Sequence, residues 1–544
     1  MAYAAGYSAS RSVSTARARA PRGLLLLALP VCALMFLPVA YLVLRAAEAD
    51  ASSWSLILRS NTVALAARSV GLAAAVTTAA VAIGVPLAWL TSRSDLPGKR
   101  VWAVVLSLPL VIPSYVGAFA LLATFGPRGF LQQVLEGPFS VTRLPDISGF
   151  PGAFISLTLF TYPYVFLLVA AGLRGLDPSL EEAARSLGQS RWQTFRAVTL
   201  PLLRPSIAAG ALLVALYTLH DFGAVSLMRF NVFTQAIYLQ YKGAFDRTPA
   251  AILSLMLIAL AFTVLVMERR ARGRVRYHRS GAGSARPLQP VPLLRWKIPA
   301  LVACSTLAVV AFVGPISALL FWLGRGVAAG GEAVLPWTAA IGSVVASTGG
   351  AVLALVAGLP IAILSARHPG RLAGGAEAVS YAGYALPGIV VALAFVFFAA
   401  NYTPALYQSL PLVVVAYTVL FLPQMTEPLR GSLLQVGPRV EEAGRALGKS
   451  KRQVFARITA PLISRGAAAG VALVFLTAMK ELPATLLLRP TGFETLATRV
   501  WTGASVGLYA KAAGPALILI VICCVPLYVL ARKVEVDRVD VRAE

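Results

Sequence analysis

The chain is 544 residues long, 58% hydrophobic and only 13% charged, with a formal net charge of +26. A soluble domain carries about 25% charged residues, so the composition excludes a cytosolic enzyme, a disordered protein or a secreted scaffold and points to an integral membrane protein. Its four cysteines (Cys32, Cys304, Cys523, Cys524) lie in apolar runs with no C-x-x-C pair, which gives neither a disulfide framework nor a zinc site.

Residues 1–22 are rich in Arg and Ser, with no acid before Glu48, a composition shared with transit peptides. Ala47-Glu48-Ala49 has the pattern of a signal cleavage site, but the run before it is about 22 residues, longer than a signal core. It reads as a retained first helix with a basic cytoplasmic anchor. A bilayer crossing needs about 20 apolar residues. Twelve runs qualify, near 23–46, 69–91, 101–125, 152–173, 206–228, 250–267, 298–323, 341–364, 379–400, 410–429, 466–488 and 511–531. Several contain Pro or Gly, which membrane helices tolerate where neighbours satisfy the freed backbone.

Basic residues fix the orientation. The tail before residue 23, the segments near 92–100, 174–205, 268–297, 366–378 and 430–465, and the tail after 531 hold 35 of the 48 Lys and Arg. All seven fall on one side if every run crosses, and the positive-inside rule makes that side the cytoplasm. The excess charge is therefore topology, and nucleic acid is not an expected partner.

The segment 181–210 is identical to 441–470 at 15 of 30 aligned positions. Six crossings separate the copies, so both have the same orientation and the halves form a parallel repeat. Each copy carries its own helix signals. Asp177-Pro178 reads as N-cap and first helical residue, with Glu181 and Glu182 near the favourable dipole end. Gly188 reads as the glycine that ends that helix. Ser190-Arg191-Trp192-Gln193 reads as a capping box opening a second short helix, which is expected to stop before Pro201. Pro438, Gly448, Ser450-Lys451-Arg452-Gln453 and Pro461 repeat the pattern. A pair of equivalent cytoplasmic helices suits a two-fold symmetric partner.

Ionisable residues within membrane spans are costly and point to function. The same offset pairs His220-Asp221 with Lys480-Glu481. Two polar pairs at pseudo-symmetric positions are expected to face each other across the central axis and to line a translocation path; the alternative is a structural role between helices. The three histidines (His220, His278, His368) are scattered, so no high-affinity metal cluster is expected.

The pattern E-A-A, three residues, G, nine residues, I-x-L-P resembles the coupling-loop signature of binding-protein-dependent ABC importer permeases. Here it reads Glu182-Ala183-Ala184, Gly188 and Val198-Thr199-Leu200-Pro201, then Glu442-Ala443-Gly444, Gly448 and Ile458-Thr459-Ala460-Pro461. The resemblance implies that Glu182, Ala183, Gly188, Pro201, Glu442, Ala443, Gly448 and Pro461 couple the chain to an ATPase subunit. Gly444-Arg445-Ala446-Leu447-Gly448-Lys449-Ser450 is one residue short of a P-loop and lacks its preceding strand. ATP is therefore expected on a partner, with no cofactor and no catalytic residue on this chain. The strings Asp221-Phe222-Gly223-Ala224-Val225-Ser226-Leu227, Glu481-Leu482-Pro483-Ala484-Thr485-Leu486-Leu487-Leu488-Arg489-Pro490 and Phe493-Glu494-Thr495-Leu496-Ala497-Thr498-Arg499-Val500-Trp501 look like the fused permeases of ferric-iron importers.

The expected fold is all-α: about twelve transmembrane helices in two parallel six-helix repeats, the type I importer permease fold that the resemblance implies. The expected division is a cytoplasmic tail (1–22), a first half (23–267), a basic linker (268–297), a second half (298–531) and a cytoplasmic tail (532–544). Expected partners are two copies of an ABC ATPase, an extracytoplasmic substrate-binding protein and the bilayer of a bacterial inner membrane. The resemblance makes ferric iron the leading substrate over thiamine, an aminophosphonate or a polyamine, and implies transient contacts of that hard cation with Asp221 and Glu481. An ion-coupled secondary transporter is the rival from another class, and it leaves the duplicated loop unexplained.

Overall fold

A computed structural model describes residues 21–127, 129–140, 144–243, 248–272, 290–330, 336–381, 383 and 386–525. The predicted C-terminal tail, most of the N-terminal tail and linker, and the end of the last apolar run lie outside these residues. Among the described residues the regular structure is helical, with one isolated parallel bridge between Ser94 and Val291.

Nine helices among the described residues are long and apolar enough to cross a membrane. They are Arg22–Ala47, Ser60–Arg93, Phe150–Gly175, Arg191–His220, Thr248–Met267, Leu294–Ala328, Trp337–Arg367, Leu410–Gln435 and Lys451–Met479. The predicted run at 101–125 is a broken pair bent by 92°, Lys99–Val111 and Ser114–Glu136. Pro109 and Pro113 flank the bend and remove two backbone donors there. The run at 379–400 is divided between Arg371–Tyr381 and the shorter apolar helix Gly388–Tyr402, and the last run begins as Tyr509–Val525.

Two expectations need correction. The helix opened by Ser190 does not stop before Pro201. It passes through a π turn, Phe195–Thr199, and continues to His220. The wider turn absorbs the missing proline donor and the clash of its ring with the preceding turn. The second half repeats this with Phe455–Thr459 before Pro461. Conversely, the spans placed at 206–228 and 466–488 are broken: their helices end at His220 and Met479, and short helices Gly223–Leu227 and Pro483–Leu488 follow.

Each half is built on one three-helix crossing. A Cβ added at Gly84 or Gly210 would lie 2.9 or 2.8 Å from atoms of Val165, so helices Ser60–Arg93 and Leu200–His220 both close onto Phe150–Gly175 at that residue. In the second half Gly358 and Gly470 close onto Met425 in the same way, at 3.2 and 2.7 Å. Small residues permit this approach where dispersion, rather than water exclusion, holds helices together.

The halves are not aligned by one offset. Gly84, Arg93 and Ser114 correspond to Gly358, Arg367 and Gly388, 274 positions later, whereas Val165 and Asp221 correspond to Met425 and Glu481, 260 later. The difference falls before Phe150, where the first half carries the extra helix Phe130–Phe139. That helix meets the opposite half, with Phe130 and Phe321 rings 4.7 Å apart. The first helix of each half also crosses over. Tyr41 donates to the Phe397 carbonyl (3.3 Å) and accepts from Asn401 (3.1 Å), while Trp322 donates to the Ala123 carbonyl (2.9 Å). Fusion has thus produced interlocked halves rather than two beads on a string.

Candidate functional site

The duplicated polar loops fold alike, because their signals are local. Asp177 accepts from the Ser179 N–H and starts Pro178–Ser186; Gly437 precedes Pro438–Ala446. Gly188 and Gly448 end these helices at φ +83° and +77°, a left-handed conformation that a Cβ penalises. Both capping boxes are formed, Ser190 with Gln193 and Ser450 with Gln453. Glu182, Ala183, Gly188, Glu442, Ala443 and Gly448 are exposed, Pro201 is half-buried and Pro461 is exposed. At the apex of each loop a leucine projects into solvent, Leu187 at 84% exposure and Leu447 at 79%. A large apolar side chain so exposed beside a polar helix suits a complementary pocket on another protein.

The preceding glutamates do different work, and the sequence alone did not reveal it. Glu181 is held by Arg93 (3.1 Å) and by the Thr199 hydroxyl (2.8 Å). Glu441 is held by Arg367 (2.7 Å) and Thr459 (3.3 Å). Each of these loop helices is thereby fastened to the C-terminal end of the second long helix of its half and to its own π turn. The arginines are largely buried, 6% and 12% exposed, so removing either partner leaves a poorly solvated charge. A signal existed: Gly84-x-Pro86-x-Ala88-x-Leu90-x-x-Arg93 recurs as Gly358-x-Pro360-x-Ala362-x-Leu364-x-x-Arg367, but at the other offset.

His220, Asp221, Lys480 and Glu481 sit at the two helix breaks. Asp221 Oδ1 accepts from the Ala224 and Val225 N–H groups (2.9 and 3.2 Å) and Oδ2 accepts from the Ser114 hydroxyl. The Thr234 hydroxyl donates to the Asp221 carbonyl (2.6 Å). Glu481 Oε1 accepts from the Ala484 N–H (3.2 Å), and Thr485 donates to the Glu481 carbonyl (2.9 Å) while sharing a hydrogen bond with the Tyr417 phenol. Each carboxylate thus caps the short helix after the break, which explains why the backbone turns there. Lys480 reaches into the opposite half and donates to the Leu110 carbonyl (2.8 Å), whereas His220 Nε2 is buried without a partner. The breaks meet: a Cβ on Gly223 would lie 2.5 Å from Tyr115 Cβ and 3.2 Å from the side chain of Leu482. Among the described residues, no three His, Cys, Asp or Glu side chains form a metal-holding group.

These observations define a polytopic, all-α membrane permease of two related halves, each with an exposed loop helix and a polar break in its core. The chain belongs to the family described as binding-protein-dependent transport system inner membrane component, whose model matches residues 80–277 and again 358–535. It is a fused, two-half ABC importer permease, and membership implies a substrate-binding protein and an ATPase as partners. It is 33% identical over 514 residues to an Fe(3+)-transport system permease protein of Haemophilus influenzae, with 94% of this chain and 97% of that one covered. It is 34% identical over 196 residues to a molybdenum transport system permease protein of Escherichia coli, covering 35% of this chain and 84% of the other. The structure of a bacterial ABC transporter that imports alginate covers 46% of this chain and 95% of its own, at 15% identity and a TM-score of 0.37.

Proposed function

We propose that this chain is the complete transmembrane pathway of a ferric-iron importer of the bacterial inner membrane. Two copies of an ATPase dock on the coupling helices at Glu182 and Glu442, ATP is bound there and not on this chain, and both termini are cytoplasmic. Binding of ATP draws the two loops together and turns the path outward, where an extracytoplasmic protein delivers the ion between the breaks at His220-Asp221 and Lys480-Glu481. The observation that carries the coupling role is the pair of exposed, similarly placed helices ending in Leu187 and Leu447. The buried carboxylate of Asp221 and the partly buried one of Glu481 support a cation over an oxyanion, which they would repel in a poorly screened interior.

The test is uptake of ferric iron by the purified complex in vesicles with its ATPase and binding protein. Glu182→Ala with Gly188→Pro, and Glu442→Ala with Gly448→Pro, should each cut ATP-driven uptake by about tenfold or more, since losing a central interface contact of about 1.4 kcal/mol has that effect. Uptake that survives both pairs of changes would defeat the coupling role. Uptake driven by an ion gradient without any ATPase would favour a secondary transporter.

A further inference from the structure

The second long helix of each half is tied near both of its ends. At the C-terminal end stand the anchors, Arg93 on Glu181 and Arg367 on Glu441. Towards the N-terminal end a buried serine makes the other tie. The Ser69 hydroxyl accepts from the Phe233 N–H (3.2 Å), and the Ser343 hydroxyl accepts from the Leu496 N–H (2.7 Å). Ser69 gives its own proton to the Leu65 carbonyl (2.8 Å), which leaves its lone pairs for the amide. Phe233 and Leu496 open the helices that follow the two breaks, Phe233–Gly243 and Leu496–Ser505. Each serine thus meets one of the N–H groups that a helix start leaves unpaired. The serines are 274 positions apart, the same offset as the arginines. In each half 24 positions separate serine from arginine, about 36 Å of helix, enough to pass a hydrocarbon core of about 30 Å.

The capped helices are joined in turn to the breaks. In the first half the Thr234 hydroxyl donates to the Asp221 carbonyl (2.6 Å). In the second half Arg489, which directly follows the short helix Pro483–Leu488, donates to the Thr498 hydroxyl (3.3 Å) and the Phe493 carbonyl (3.1 Å). The last bond differs between the halves, but the order of connection is the same. It runs from loop helix to arginine, along the long helix to the serine, and through the capped helix to the break.

We infer that Ser69 with Arg93, and Ser343 with Arg367, are positioning residues that turn these two helices into struts. Each strut carries the movement of its loop helix across the membrane to the break of the same half. This rests on the reading of the loops as ATPase docking sites and names the parts that transmit the docked subunit's motion. Coupling between distant sites travels through rigid elements and the hydrogen bonds that join them, and both struts are continuous helices, of 34 and 31 residues. A strut is a link in series: releasing either end disconnects it. The two struts work side by side, one in each half.

The experiment uses the full complex of permease and ATPase in nanodiscs. It reads ATP hydrolysis with and without the substrate-binding protein, added with the ligand that protein retains on purification. The binding protein and ATP act at opposite faces, so the stimulation measures the coupling between them. Ser69→Ala, Arg93→Ala, Ser343→Ala and Arg367→Ala should each lower the stimulation about fivefold, the low end for coupled sites. In the two serine variants hydrolysis without the binding protein should stay at the wild-type rate. Ser69→Ala combined with Arg93→Ala should be no worse than either alone, because both release one strut. Their losses in thermal stability should instead add, as they do for distant sites with no shared partner, which separates the link from damage to the fold. Ser69→Ala combined with Ser343→Ala, one release in each strut, should lower the stimulation beyond either single change. Unchanged stimulation in both serine variants would overturn the struts, as would losses of stimulation that multiply between Ser69→Ala and Arg93→Ala. Full stimulation in the variant with Glu182→Ala and Gly188→Pro would instead overturn the docking reading, and the struts with it.

Discussion

The two halves repeat the same pattern of short helices and caps in their polar loops but fill their cores with different pairs of side chains. In the first half Gly117 lies under Phe160; at the corresponding places the second half has Val391 and Leu420, all four buried. At the break the first half uses the shorter acid, Asp221, with the hydroxyl of Ser114 filling the remaining space. The second half uses Glu481, one methylene longer, and has Gly388 in place of the serine, where a Cβ would lie 2.4 Å from Glu481 Oε1. Volume gained on one helix is given up on its neighbour, as close-packed interiors require. The polar loops keep their caps and terminal glycines, which act locally, whereas each core is free to repack within itself. The loops diverge in their side chains as well: Trp192, stacked on Phe195 at 5.6 Å, is replaced by Arg452 in the second copy.

The compensation is most severely tested at Gly117. A Cβ there would fall within 2.4 Å of three atoms of the Phe160 ring, and that ring is 3% exposed with little room to yield. Gly117→Val should destabilise the purified chain by about 3 kcal/mol, at the upper end for overpacking. Adding Phe160→Leu, which recreates the pair used by the second half, should recover most of the loss in a thermal-unfolding assay. Equal melting of the single and double variants would show that the pairs are not compensating.

A smaller effect is expected at the break. Gly388→Ser should cost about 1–2 kcal/mol, because Glu481 can move its carboxylate but only by giving up the Ala484 N–H. Combining it with Glu481→Asp installs the first half's solution in the second. The cycle should therefore show a favourable coupling of about 1 kcal/mol, with the ATP yield of transport restored as well. Strict additivity of the two changes would break the comparison.

Much of this was legible in the sequence, and what was hidden follows a rule. The loops around Glu182 and Glu442 were readable because caps, terminal glycines and prolines act within a few residues. The anchors Arg93 and Arg367 were not, because an ion pair across 88 or 74 positions leaves no local trace. The breaks after His220 and Met479 were obscured by the apolar runs on either side, although Asp221 followed by Gly223, and Glu481 followed by Pro483, are a capping acid and a helix start in retrospect. At Pro201 local reasoning was misled: the proline rule was right about the lost hydrogen bond, and a π turn met it without ending the helix. Mixed offsets hid the extra helix Phe130–Phe139, since aligning only the polar loops carries no information about insertions upstream.

The smallest predicted effect concerns a brace that, among the described residues, is seen beside Arg93 of the first half. Val291, at the end of the linker, donates to the Arg93 carbonyl (2.8 Å) and accepts from the Asp95 N–H (3.1 Å). The Asp95 carboxylate then receives the Lys297 ammonium (2.8 Å) and the Leu293 N–H (2.8 Å). The Lys297 hydrogen bond, aided by Leu293, holds the Asp95 carboxyl below its ordinary range. A carboxyl lowered in this way stabilises the brace above its unfolded pKa of about 3.9 and loses that contribution as pH falls through its lower folded value. Between pH 5 and 8 the brace should thus be insensitive to pH. Asp95→Asn should speed amide exchange at Leu293 throughout that range by a few-fold at most, since exposed ion pairs contribute little and salt screens them. His368, which follows Arg367 in the second half, should tolerate replacement by Asn with no change at Leu293. If Asp95→Asn left exchange at Leu293 unaltered, the linker would be held by its backbone pairing with Arg93 and Asp95 alone. The asymmetry between the two coupling anchors would then reside in that bridge rather than in charge.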